Sequence, residues 1–124
     1  MREAALQRAA AALGLAPRVL STDGATFIEM ENLDAKNTVA NIYGDDFCEV
    51  PEDAREAIYD ILRELWLRER IEYVDVTAYN FVQTDERMWI IDFGHAAVRD
   101  ELSNYFLRET FDEGGLVSWN ADFA

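Results

Sequence analysis

Residues 71–96 read IEYVDVTAYNFVQTDERMWIIDFGHA, and this stretch decides the predicted fold. It contains three short runs typical of β-strands, IEYV, FV and MWII, each with an acidic or amide residue at one end. Those residues are Asp75, Asn80 and Asp92. The polar residues 84–87 suit a hairpin turn between the second and third runs. The pattern therefore predicts three short strands that place Asp75, Asn80 and Asp92 at strand ends.

A long amphipathic helix is predicted immediately before that stretch, from Pro51 to about Arg70. Pro51 suits the first position of a helix, and the acidic Glu52 and Asp53 meet the positive end of the helix dipole. Apolar residues recur at the spacing of one helical face. They are Ala54, Ile58, Ile61, Leu62, Leu65 and Trp66. One side of this helix is therefore expected to lie in the core.

The other predicted elements are short. They are a helix over about residues 2–13, a hairpin of strands at 18–20 and 25–30, and helices at 35–43 and about 100–110. The first helix stops at Gly14, and Pro17 just beyond it prevents continuation. No repeat or linker divides the chain, so the predicted fold class is α+β in a single domain, 1–124.

Composition narrows the class of protein. Half of the 124 residues are apolar, which is enough for a core, and 25 acidic residues against 11 basic ones give a net charge of −14. Such a surface repels phosphate backbones and anionic lipid, so no nucleic acid and no membrane is expected as a partner. The single Cys48 cannot form an internal disulfide. We therefore expect a soluble protein in the cytoplasm or another intracellular compartment.

The motifs in residues 71–96 resemble those of the protein-kinase-like superfamily. Asp75 and Asn80 have the D-x-x-x-x-N spacing of that family's catalytic loop, and Asp92-Phe93-Gly94 matches the D-F-G after the next hairpin. The resemblance implies a truncated protein-kinase-like α+β fold. Its shortened, mainly helical C-lobe with short β-hairpins would cover 35–124, and a remnant of the N-lobe with the hinge would cover 1–34.

The same resemblance implies a role for each motif residue. Asp75 would be the catalytic residue that accepts a proton from the acceptor hydroxyl. Asn80 and Asp92 would hold Mg²⁺, which prefers hard oxygen ligands. Gly94 would belong to the cofactor site because it gives the turn after Asp92 its backbone freedom. The implied cofactors are Mg²⁺ and ATP.

A weaker similarity extends upstream to FIEMENL, residues 27–33. It implies that Met30 is the gatekeeper of the cofactor site. The hinge whose backbone would meet the adenine is then formed by Glu31, Asn32 and Leu33. Glu3 on the first helix is a candidate for the family's ion-pairing glutamate. The alternative is a solvated residue that the helix dipole favours.

The sequence departs from the family pattern at several points. Its one lysine, Lys36, follows the hinge, where it cannot serve as the ATP-binding lysine, and no glycine-rich phosphate loop is present. Tyr73 and Val74 stand where the family has histidine and arginine. These departures predict Mg-ATP binding with weak or partner-dependent phosphotransfer, to an acceptor that the sequence leaves open.

Two other functions stay open. One is a catalytically inactive pseudokinase that acts as a protein-interaction, decoy or assembly module. The other is an unrelated acidic α+β interaction domain, if the motif match is accidental. The retention of Asp75, Asn80 and Asp92 favours the enzyme. Because short N-lobe strands would leave exposed edges, a protein partner or a homo-oligomer is expected.

Overall fold

The computed structural model describes residues 2–22, 28–30, 37–85 and 87–124. Within these ranges the fold is α+β, which confirms the predicted class. The α-helices are α1 (Arg2–Ala12), α2 (Val39–Tyr43), α3 (Glu52–Glu69) and α4 (Tyr105–Glu113). The strands are β1 (Val19–Thr22), β2 (Ile28–Met30), β3 (Ile71–Glu72), β4 (Phe81–Gln83), β5 (Met88–Ile90) and β6 (Ala97–Val98). The strands form three antiparallel pairs: β1 with β2, β3 with β6, and β4 with β5.

Helix α3 forms where the apolar periodicity predicts it. Pro51 precedes the helix in an extended conformation, and Arg70 ends it in the left-handed region with φ 54°. Five of the six residues on the predicted apolar face are buried, and Trp66 is half-buried. This face is the centre of the core, against which the other elements pack.

The N-terminal elements also follow the prediction. Helix α1 ends just before Gly14, which has φ 78°, and β1 pairs with β2 in the expected hairpin. Ala4, Leu6 and Ala10 of α1 are buried within this chain. The residues between β1 and β2, 23–27, lie outside the described ranges.

The β4–β5 hairpin is confirmed, but the strand predicted at 71–74 is shorter in the structure. Strand β3 contains only Ile71 and Glu72, which pair with Val98 and Ala97 of β6. Beyond them the chain leaves the strand, and the carbonyl of Val74 accepts hydrogen bonds from the backbone N–H of Val76 and from Nδ2 of Asn120 instead of from a neighbouring strand.

Helix α4 begins later than the predicted 100–110 because a buried carboxylate holds the preceding residues. Glu72 accepts hydrogen bonds from the backbone N–H groups of Ser103 and Asn104, at 2.7 and 2.9 Å. Asn104 then caps the helix by accepting from the backbone N–H of Leu107. Burial raises the pKa of Glu72, but the hydrogen bonds from Asn104 and Ser103 outweigh it and hold the pKa below its ordinary value.

Glu72→Gln is expected to lower the free energy of unfolding by about 1–3 kcal/mol at neutral pH, because a charged acceptor of several hydrogen bonds is lost. The stabilisation from ionised Glu72 is complete above its ordinary pKa of 4.5 and disappears as the pH falls through its lower folded-state pKa. Denaturant titrations at neutral pH and below pH 4.5 should therefore show a difference between the two proteins that shrinks in acid. Glu64→Gln, at an exposed pair with Arg68, is the control and should have little effect.

Among the described residues, none of the helices combines the length and the apolar character needed to span a bilayer.

Candidate functional site

Asp75 and Asn80 lie in one closed loop between β3 and β4. The side-chain Nδ2 of Asn80 donates to the backbone carbonyl of Asp75 at 2.8 Å, and its backbone N–H donates to Thr77 at 3.3 Å. Asn80 is buried, with 7% of its surface exposed. The residues between Asp75 and Asn80 therefore form a loop, and the side-chain amide of Asn80 joins its two ends.

The segment that carries Asp92 is tied to the same loop through Ile91. The backbone N–H of Ile91 donates to the Asn80 carbonyl at 3.0 Å, and the Ile91 carbonyl accepts from the Tyr73 hydroxyl at 2.6 Å. Asn80 directly precedes β4 and Asp92 closely follows β5, and these strands pair with each other. The structure thus brings Asp75, Asn80 and Asp92 to the same end of the β4–β5 hairpin.

Asp92 adopts a left-handed backbone conformation, with φ 62°. Among the described non-glycine residues only Arg70 shares this feature, and there a helix end accounts for it. A left-handed residue with a side chain costs about 1–2 kcal/mol, which Asp and Asn tolerate best. Oδ1 of Asp92 accepts from the backbone N–H of Gly94 at 3.2 Å. Strain of this kind is concentrated at functional sites.

Tyr73 is the buried centre around which the acidic groups are arranged. Its ring packs edge-on against Phe93 and Phe81, with centroids 5.3 and 6.3 Å apart. Burial raises the pKa of its hydroxyl well above the ordinary 10.0, and the charges of Asp75, Asp92 and Glu3 raise it further. The hydroxyl is therefore protonated at neutral pH and remains a donor to Ile91.

Glu3 reaches the turn after Asp92 from helix α1. A Cβ atom added at Gly94 would lie 3.3 Å from Oδ1 of Asp92 and 3.9 Å from Oε1 of Glu3. Glu3 is half-buried there, so it is not the freely solvated first-turn residue of the alternative interpretation. Its carboxylate joins those of Asp75 and Asp92 around Tyr73.

His95 and the C-terminal segment 119–124 complete the surroundings of Asp75. Nδ1 of His95 lies 3.4 Å from Oδ2 of Asp75, and its ring lies against Phe123 with centroids 5.1 Å apart. Asn120, which is buried, donates from Nδ2 to the carbonyl of Val74 and from its backbone N–H to the carbonyl of Val76, both at 2.9 Å. The carbonyls on both sides of Asp75 are therefore held by one distant residue.

The sequence indicated no chemical role for His95 or for the tail. The contact between Asn120 and Val74 spans 46 positions. No local motif in LVSWNADFA marks Asn120 as different from an ordinary turn residue. Only the three-dimensional contact identifies it.

The adenine half of the predicted cofactor site is mostly outside the described ranges. Met30 ends β2, where it pairs with Val19. Glu31, Asn32 and Leu33 of the predicted hinge, together with Lys36, lie outside the described residues. The described residues therefore include the metal and acceptor half of the predicted site, and little of its adenine half.

The predicted metal ligands are few and consist of oxygen donors. Among the described residues no group of three or more His, Cys, Asp and Glu side chains is arranged to hold a metal ion. Oδ1 of Asn80 and Oδ2 of Asp92 accept no hydrogen bond from those residues. Mg²⁺ is commonly held by one or two carboxylates together with substrate phosphates. Oδ1 of Asn80 and Oδ2 of Asp92 are oxygen donors of the type that Mg²⁺ prefers, so their chemistry matches the predicted ligands.

Comparison with known proteins found no matching protein family, curated protein or solved structure.

Proposed function

We propose that this chain is a kinase-like protein that binds Mg-ATP and carries out weak or partner-dependent phosphotransfer. The observation that supports it best is the meeting of Asp75, Asn80 and Asp92 at one end of the β4–β5 hairpin. These are the residues that the resemblance to kinases singles out. The hydrogen bonds of Ile91 with Asn80 and Tyr73 fix the position of the segment that carries Asp92 relative to the loop that carries Asp75.

Each residue has a definite part in this proposal. Asp92 and Asn80 would hold Mg²⁺ through Oδ2 and Oδ1, and the bound ion would offset phosphate charge. The Asp75 carboxylate, with 16% of its side chain exposed, would orient the acceptor hydroxyl and accept its proton. Tyr73 holds the Asp92 segment against the loop, in the position where the family has histidine.

Weak or partner-dependent transfer follows from charge. The one lysine of the sequence, Lys36, follows the proposed hinge. The carboxylates of Asp75, Asp92 and Glu3 make the site strongly negative, which opposes an approaching polyphosphate. A second protein that supplies positive charge would raise the rate, since such groups contribute several kcal/mol to the transition state.

Calorimetric titration of the whole chain with ATP tests this proposal, in the presence of Mg²⁺ and again with the metal chelated. We expect heat of binding with Mg²⁺ and a large loss of affinity without it. Equal affinity under both conditions would contradict the assignment of Asn80 and Asp92. No binding at millimolar nucleotide would favour the alternative, a kinase-like interaction module without activity.

Gly94→Ala is expected to weaken Mg-ATP binding several-fold while the fold is kept. The added Cβ would lie 3.3 Å from Oδ1 of Asp92, so the carboxylate must shift. Gly115→Ala is a matched control, because its Cβ would meet nothing within 4 Å. Calorimetry measures the affinity, and thermal unfolding checks that both variants lose no more than about 1 kcal/mol. Unchanged affinity in Gly94→Ala would place the metal away from Asp92.

The alternative function has an observation of its own. Helices α3 and α4 form an open groove with aromatic walls and two arginines, on elements other than those that carry Asp75 and Asp92. A surface of this composition is typical of protein interfaces. It is compatible with a protein that also binds nucleotide.

A further inference from the structure

The groove between α3 and α4 has a volume of about 440 Å³. Its walls are aromatic: Tyr59 and Trp66 come from α3 and Phe111 from α4. The rings of Tyr59 and Phe111 meet edge-on, with centroids 6.0 Å apart, and join the two helices. Leu67 beside them is 52% exposed. We name these residues, with Arg63 and Arg108, the arginine–aromatic groove.

The charge of the groove is opposite to that of the chain. The net charge of the whole sequence is −14, yet two arginines and only one acidic residue, Asp112, line the groove. A third guanidinium, that of Arg70, lies over the ring of Trp66 at 5.1 Å. The groove is therefore a local positive region on an acidic surface, and it complements an anionic ligand.

Two of these arginines have no side-chain partner in the part of the chain that the structure describes. The side chains of Arg63 and Arg108 make no ion pair or hydrogen bond with other described residues. By contrast, Arg68 bonds to Glu64 at 2.8 Å and Arg99 lies 3.4 Å from Glu72. Guanidinium groups without a described partner, beside the half-buried rings of Tyr59, Trp66 and Phe111, resemble the composition of interface hot spots.

We propose that the arginine–aromatic groove binds an acidic segment of a partner protein. Carboxylates of that segment would pair with Arg63 and Arg108, and one aliphatic or aromatic side chain would lie between Trp66 and Phe111. A long polyanion such as nucleic acid is disfavoured, because the rest of the acidic surface repels it. The open shape between two helices suits a segment lying along the groove better than an enclosed small molecule.

Fluorescence anisotropy with the whole chain tests the proposal, using an array of short labelled peptides. The peptides are rich in glutamate and differ in the position of one Leu, Phe or Trp. We expect at least one to bind, and Arg63→Gln/Arg108→Gln to weaken it about tenfold or more. Leu67→Glu, which adds charge to the exposed edge, should weaken it as well.

The matched control is Arg8→Gln/Arg68→Gln, which removes the same charge from exposed positions outside the groove lining. This control should bind the peptide with an affinity within about twofold of wild type. Asp92→Asn should do the same, and this result would separate peptide binding in the groove from nucleotide binding. Equal losses in both double variants, or no binding across the array, would overturn the proposal. Equal affinity for peptides that lack an apolar side chain would also overturn it, because the groove would then be a site for small anions. If the wild-type protein were a dimer and only the Arg63/Arg108 variant were a monomer, a second copy of this chain would occupy the groove and the proposal would be wrong.

Discussion

Asp92→Asn is expected to reduce the affinity for Mg-ATP by about 100-fold or more. The substitution removes the charge of one of two proposed protein ligands, and even outer-shell changes commonly cost 10–100-fold in metal affinity. The backbone should not change, because asparagine tolerates the left-handed conformation that Asp92 adopts at φ 62°. Its amide oxygen can still accept from the N–H of Gly94. Calorimetric titration of both proteins with Mg-ATP measures the effect.

The control for this prediction is Asp100→Asn, which makes the same charge change at an exposed position. It should bind Mg-ATP as the wild type does. If Asp92→Asn also bound normally, Asp92 would not be a metal ligand and the proposed activity would be wrong. Thermal unfolding of both variants, expected within about 1 kcal/mol of wild type, separates lost binding from lost structure.

Asn120→Ala is expected to have the largest effect on the loop that carries Asp75. The variant loses the bond from Nδ2 to the Val74 carbonyl and the bond from Oδ1 to the N–H of Asp122. Because Asn120 is only 3% exposed, the change also leaves a small cavity, and the Val74 carbonyl keeps only its bond from the backbone N–H of Val76 at 2.8 Å. We expect a loss of about 1–3 kcal/mol in the free energy of unfolding.

Hydrogen exchange shows whether this loss is local. Faster exchange confined to the residues around Val74 and Val76 would confirm that the C-terminal segment holds the loop. Ser118→Ala, at an exposed neighbouring position, should change neither stability nor exchange. Unchanged exchange near Val76 in Asn120→Ala would mean that other contacts hold the loop.

Much of the fold follows from local sequence. The apolar spacing and the end signals place α3 to within about a residue at each end. Strands β4 and β5 pair antiparallel on either side of the polar residues 84–87, as predicted, although residue 86 lies outside the described ranges. The D-x-x-x-x-N spacing also anticipates a compact loop, since Asn80 closes back on Asp75. In each case the interacting residues are near in sequence, so the pattern carries the information directly.

Other features follow only from contacts between distant segments. The start of α4 depends on Glu72, which lies 31 positions before Ser103. The residues at 100–110 do not by themselves show that a distant buried carboxylate accepts from the N–H groups of Ser103 and Asn104. The tertiary contact overrides the local preference, because an unpaired buried charge costs more than a few helical residues contribute.

The candidate site divides in the same way. Its motif residues stand out in the sequence because Asp and Asn at strand ends, and the Gly that follows Asp92-Phe93, form a recognisable pattern. Their surroundings depend on the assembled chain: Glu3 arrives from α1, His95 reaches Asp75, and Asn120 holds the loop from 46 positions away. Short-range periodicity and turn chemistry place elements and single residues, whereas the packing of the whole core decides which distant side chains meet.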